Sequence, residues 1–226
     1  MKLKSFIILI ILFSIAAFAQ TSEQEIEQIY LQNPELMIVR EQVASSDYQT
    51  KLQALETLQN MIKGGSVNNE VLSLVISLGE DGSTSKKYTG LTLVNNYPEV
   101  RRRACKILGD IGTDKAREAL ITILLAESEA TVKAEAAYAL GTIGNDENGD
   151  AAYAISWMID REDSLNPDNN FAYAAALALE KIAAKNKGFK NNAGYAALIK
   201  IAQGNYIRTV KDKALDVIKG MSKYNR

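Results

Sequence analysis

The sequence predicts an all-α solenoid, a stack of helix pairs in which each pair buries one face against its neighbours. Three observations predict it. An apolar stripe with spacing 4, 4, 3 recurs five times, its second place is alanine in every copy, and capped amphipathic segments fill the intervals between copies. That spacing keeps four side chains on one face of a 3.6-residue helix. Units that bury their stripe only against neighbours are the mark of repeat architectures.

The copies run Thr50, Ala54, Leu58, Met61; Val100, Ala104, Leu108, Ile111; Val132, Ala136, Leu140, Ile143; Phe171, Ala175, Leu179, Ile182; and Val210, Ala214, Ile218, Met221. Their starts are 50, 32, 39 and 39 residues apart. The small residue at the second place predicts close helix approach there. Second helices are expected from Glu70 to Leu78, capped by Asn68 or Asn69, and from Asp114 to about Glu127, capped by Thr113. Two more follow from Ala151 to about Asp160 and from Ala193 to Ala202, the last capped by Asn192. Asn and Thr at helix starts and Gly at ends fit the needs of unpaired backbone groups. Pro98 and Pro167 stand just before helices, where proline is tolerated.

Three stretches interrupt the rhythm: Glu80 to Gly90, Arg161 to Asn170, and the Lys/Asn-rich turn Ala184 to Asn192. The first accounts for most of the long first interval and is expected to be a surface loop. Such inserts fall on one edge of a solenoid, often a binding edge. Residues 20–45 lack the stripe. Glu23 to Leu31 and Glu35 to Val43 look helical on either side of Asn33-Pro34, as an N-terminal cap with a polar outer face would. Repeats are then expected over 46–226.

The N-terminus has the layout of a secretory signal peptide. Lys2 and Lys4 precede a 13-residue apolar run, Phe6 to Phe18, and Ala17-Phe18-Ala19 offers cleavage after Ala19. A bilayer span needs roughly 20 apolar residues. The expected location is periplasmic or secreted. Without Lys2 and Lys4, 24 of the 26 basic residues face 27 acidic ones, a net charge of −3. That is no footprint for nucleic acid.

Histidine is absent. This removes Ser-His-Asp and Cys-His nucleophiles, His-Glu-x-x-His zinc sites and the usual acid–base side chain at neutral pH. Carboxylate-only catalysis survives that test, but carboxylates such as Glu162 and Asp163 sit in polar loops. No catalytic residue, cofactor or metal site is assigned. Cys105 is the one cysteine and reads as an apolar filler. Asp146-Glu147-Asn148-Gly149-Asp150 is no calcium loop, because Gly144 and Ile155 would occupy its first and twelfth positions.

Pro98 to Gly112 and Thr131 to Gly144 share Val-Arg or Val-Lys, then Ala, then Leu-Gly-x-Ile-Gly. Both segments are similar to the first helix of HEAT repeats, specifically the phycobilisome-lyase-type subgroup. Phe171 to Ile182 and Val210 to Met221 keep the stripe without those glycines. The resemblance implies a right-handed superhelix of four to five pairs, with first helices convex and second helices concave. Most such proteins bind other proteins. The family's iron-dependent hydroxylases use His-Glu ligand pairs, which this chain cannot supply, and nothing in the sequence argues for bilin attachment. The resemblance also gives Arg101 a role bridging repeats.

If the second helices face a groove, helical wheels turn Glu118, Leu125, Tyr153, Trp157 and Lys200 toward a partner. Trp and Tyr are enriched at interaction hot spots. Arg101, Arg102 and Arg103 spread over about 200° of a helix and make no single patch. The function expected is an exported scaffold binding another protein. Two alternatives stand beside it: an exported bilin-lyase-like or other small-molecule enzyme, and a structural subunit that self-associates through apolar surface near Val217 and Met221.

Overall fold

The computed structural model describes residues 34–162 and 164–224. The expected signal peptide and the Glu23–Leu31 helix lie outside them. The chain divides into a unit ending at Glu41 and a unit from Gln42 onward. Helix α1 (Pro34–Ala44) spans the boundary; everything below concerns the second unit.

Among the described residues that unit is an all-α solenoid of four helix pairs followed by a fifth first helix and a short turn. The first helices are α2 (Tyr48–Lys63), α4 (Pro98–Ile111), α6 (Ala130–Ile143), α8 (Asn169–Asn186) and α10 (Arg208–Met221). The second helices are α3 (Asn69–Glu80), α5 (Asp114–Ala126), α7 (Asp150–Asp160) and α9 (Ala193–Gln203). Each first helix packs on the next first helix and on the second helix that precedes it, giving two layers.

The predicted stripes form the core. All their members are buried except Thr50, Ile111 and Ile218. In α10 the buried register is Val210, Ala214, Val217 and Met221, so Val217 takes the place expected for Ile218. That face packs against α8 and α9. This also corrects the expectation of apolar surface at Val217 and Met221. Both are buried, and the exposed apolar groups near them are Ile207 and Leu215.

Most caps fall where the sequence puts them. Asn68 accepts from the backbone N–H groups of Glu70 and Val71, at 3.0 and 2.8 Å. Thr113 accepts from Ala116 N–H at 3.2 Å. Asn192 does not cap α9. Its backbone is already helical, and Asn191 Oδ1 accepts from Ala193 N–H at 3.0 Å instead. Asp146 is buried and accepts from the N–H groups of Ala151 and Ala152, at 2.9 and 3.1 Å. The acidic turn Asp146 to Asp150 therefore holds the start of α7.

The basic residue after the first stripe position ties the layers together. Lys51 pairs with Asp81 at 2.9 Å, Arg101 with Glu127 at 2.6 Å, and Lys133 with Glu162. In each case the acid follows the second helix of the same pair by one or two residues. Arg101 and Glu127 are both 1 % exposed. Arg101 also donates to the Asp81 carbonyl and to Asn96 Oδ1, both at 3.1 Å. Glu127 Oε1 also accepts from the N–H groups of Ser128 and Glu129. Arg101 thus bridges to the preceding repeat through the Asp81 carbonyl, while its buried ion pair with Glu127 lies within its own repeat.

The insert after α3 has more structure than a surface loop. Strands β1 (Tyr88–Thr89) and β2 (Thr92–Leu93) form an antiparallel hairpin, with Tyr88 opposite Leu93 and Thr89 opposite Thr92. Its base is buried: Asp81, Ser83 and Asn95 are each under a tenth exposed. Two-residue strands carry no sequence periodicity, so the segment reads as a plain loop in the sequence.

Candidate functional site

The first helices come together at glycine and alanine. A Cβ on Gly141 would lie 2.5 Å from Ala178 Cα, and one on Gly109 would lie 2.9 Å from Ala139 Cβ. The first-helix backbones of α4, α6 and α8 are therefore in direct contact. Between second helices, Gly79 of α3 faces the end of the Ile123 side chain on α5. The resemblance implies a groove on the second helices; the structure also has one on the first helices.

A groove of about 580 Å³ crosses α4, α6, α8 and the start of α10. Tyr138 and Tyr173 flank it, Ala134, Ala174 and Leu177 supply apolar lining, and Asn170 and Thr209 supply uncharged polar groups. Ile207, 57 % exposed, stands at its C-terminal end. Two smaller hollows of about 380 and 240 Å³ continue along the same helices, past Arg103 and Lys106 and past Thr142 and Lys181. Lys181 Nζ sits 3.8 Å from the Tyr138 ring centroid, a cation–π contact that fixes the ring.

Charge in the groove is mostly satisfied internally. Arg102 binds Glu99 at 2.9 Å and Glu135 at 3.2 Å, joining α4 to α6, and Arg103 binds Glu99 at 2.7 Å. The Arg102 guanidinium, helped by Arg103, pulls the Glu99 carboxyl from its ordinary 4.5 down to about 2. Hydrogen bonding to Glu99 in turn raises the Arg102 pKa. A carboxyl depressed on folding adds stability that is complete above pH 4.5 and is lost as pH falls toward 2. Denaturant melts between pH 5 and pH 2.5 should therefore show an acid loss that Glu99→Gln reduces. The pair is part-exposed, so added salt should reduce that loss too.

The five side chains assigned from helical wheels lie on the other layer. Tyr153 is 59 % exposed, and Trp157 and Leu125 are each 45 % exposed. Glu118 is exposed as well. Trp157 lies beside Arg161, with the guanidinium 5.8 Å from its ring centroid. Lys200 is tied across the layer to Asp160, reaching its carboxylate at 2.9 Å and its carbonyl at 3.0 Å. These residues form an outer face and do not line the groove. Sequence reasoning missed Tyr138, Tyr173 and Asn170, which sit on first helices just beside the buried stripe. The signal was present, since a first helix carrying an exposed tyrosine in two successive repeats marks a solvent-facing row. Cys105 is buried, and burial raises its thiol pKa far above the ordinary value. It is an inert filler.

Residues 91–165 match the family model of HEAT repeats. The protein carries HEAT repeats. A solved structure similar to this HEAT-repeat chain is that of the complex of CpcE and CpcF of phycocyanin lyase from Nostoc sp. PCC7120. The match has 20% identity and a TM-score of 0.56, and covers 83% of this chain and 65% of that one. The chain therefore spans just under two thirds of that protein's length, and the likeness is one of fold. Comparison with curated proteins finds no match.

Proposed function

We propose that this HEAT-repeat chain is an exported scaffold of the cell envelope that holds another protein in the groove of its first helices. The observation that carries the reading is the groove itself. Four successive first helices build one preformed surface, floored by Ala134, Ala174 and Leu177 and edged by Tyr138 and Tyr173. A rigid concave surface loses little ordering entropy on association. Its one acid–base pair, Arg102 and Glu135, is spent on joining repeats. The similar structure is itself a complex of two chains, which adds support. The proposal of export is supported by the layout of residues 1–19 alone, and the proposed location is the periplasm or outside the cell.

A second reading has its own support. About 580 Å³ lies within the range of small-molecule sites, and the similar structure belongs to a phycocyanin lyase. A bilin or another flat, largely apolar molecule would then occupy the groove.

Affinity capture from envelope extract separates these readings. The baits are wild type, a groove variant (Tyr138→Ala with Tyr173→Ala) and an outer-face variant (Tyr153→Ala with Trp157→Ala). The proposal expects one enriched protein, lost with the groove variant and kept with the outer-face variant. Loss with the outer-face variant alone would move the docking face to the second helices. A pigment retained without an enriched protein, and released by the groove variant, would establish the second reading.

A further inference from the structure

The β1–β2 hairpin is an insert that the groove does not absorb. It is a built projection. Asn95 is 4 % exposed, and its side chain makes three hydrogen bonds. It donates to Asp81 Oδ1 at 2.6 Å and to the Ser85 carbonyl at 2.7 Å, and it accepts from Lys87 N–H at 2.9 Å. Gly82, at φ +85°, lies so close that a Cβ would be 2.2 Å from the Asn95 carbonyl oxygen. A solvated linker needs no such base.

The end held out by this base is apolar and cationic. Leu91 is 101 % exposed at the turn, after Gly90 at φ +61°. Tyr88 and Val94 are 58 % and 42 % exposed. Lys86 and Lys87 are exposed beside them, and neither side chain has a carboxylate partner among the described residues. From Ser83 to Asn96 there is no acidic residue, so this segment carries +2 in a chain whose net charge is −1. Apolar groups clustered on a projection mark an interaction site.

We propose that the hairpin end is a docking point for an anionic phospholipid surface, with Leu91 entering the acyl boundary and Lys86 and Lys87 bound among the headgroups. Tyrosine favours that interface. Lysines near it can keep their ammonium groups in water while their stems lie along apolar surface. A leucine without walls around it fits a fluid surface that closes on it. The remaining side chains near the tip, Thr89 and Thr92, are uncharged hydrogen-bonding groups suited to the headgroup layer. The attraction is electrostatic and therefore salt-sensitive.

The test places a reporter at the tip. In the full chain, Leu91→Trp is mixed with vesicles of phosphatidylcholine alone or with phosphatidylglycerol added, some with brominated acyl chains. Wild type, whose single tryptophan is Trp157, gives the background. The proposal expects a blue shift and bromine quenching of the new tryptophan on anionic vesicles only, both lost in high salt. Adding Lys86→Ala and Lys87→Ala should weaken partitioning on the order of 30-fold. Because the signal comes from residue 91, membrane attachment elsewhere in the chain does not mimic it. Tyr173→Ala, which tests the groove, should leave the signal unchanged. Emission that is unaltered on anionic vesicles, equal on neutral ones, or indifferent to the lysines overturns the proposal. So does a protein captured through Leu91 and Tyr88 with no response to lipid.

Discussion

Arg101→Met should lower stability by about 3–5 kcal/mol, the cost of leaving a buried charge without its partner. Glu127 would remain 1 % exposed and facing an apolar side chain, while the Asp81 carbonyl and Asn96 would lose donors. Glu127→Leu alone should cost a similar amount by stranding the guanidinium. Arg101→Met with Glu127→Leu should cost much less than the sum, because an apolar pair of similar volume can replace a buried ion pair at little net cost. Denaturant unfolding of the four proteins measures the coupling. A double variant as unstable as the sum of the singles would mean that Arg101 acts mainly through Asp81 and Asn96, not through Glu127.

The second large effect concerns two glycines with opposite expected signs. Gly141→Ala puts a Cβ 2.5 Å from Ala178 Cα and 2.9 Å from its Cβ. No rotamer relieves a clash with backbone, so α6 and α8 must move apart. Overpacking of this kind costs about 1–3 kcal/mol, more than the gain of up to about 1 kcal/mol from better helix propensity. Gly220, also in a first helix, has nothing within 4 Å of its Cβ position. Gly220→Ala should therefore raise stability by about 0.5–1 kcal/mol. Thermal melts of both variants decide it. A neutral Gly141→Ala would show that the first helices are not in backbone contact.

The fold was legible because its determinants are periodic. Val132, Ala136, Leu140 and Ile143 repeat as a unit elsewhere in the chain, and each copy buries its stripe in the same way. The exceptions are physical. Ile218 yields to Val217 in the helix that packs on α8 and α9. Asn192 yields to Asn191 because the turn enters the helix one residue early. The ion-pair ladder was half legible: the basic residue after the first three stripe starts was visible, but its acid lies 26 to 30 residues away and no local pattern links the two. The hairpin was read as a loop because its order comes from Asn95 and Asp81, which are 14 residues apart.

The groove was harder to read. A helical wheel finds which residues leave the core, and it found Tyr153 and Trp157 correctly as exposed. It does not assign a groove to one layer or the other. The glycines of Leu-Gly-x-Ile-Gly mark where the first helices close up, at Gly109 and Gly141.

The central claim is that the partner lies against the first helices. Photo-crosslinking in the cell tests it most directly, with a benzophenone amino acid placed at position 173 in the groove or at position 153 on the outer face. The account predicts a discrete protein adduct from position 173 and none from position 153. An adduct from position 153 alone, with position 173 silent in a folded protein, would contradict it.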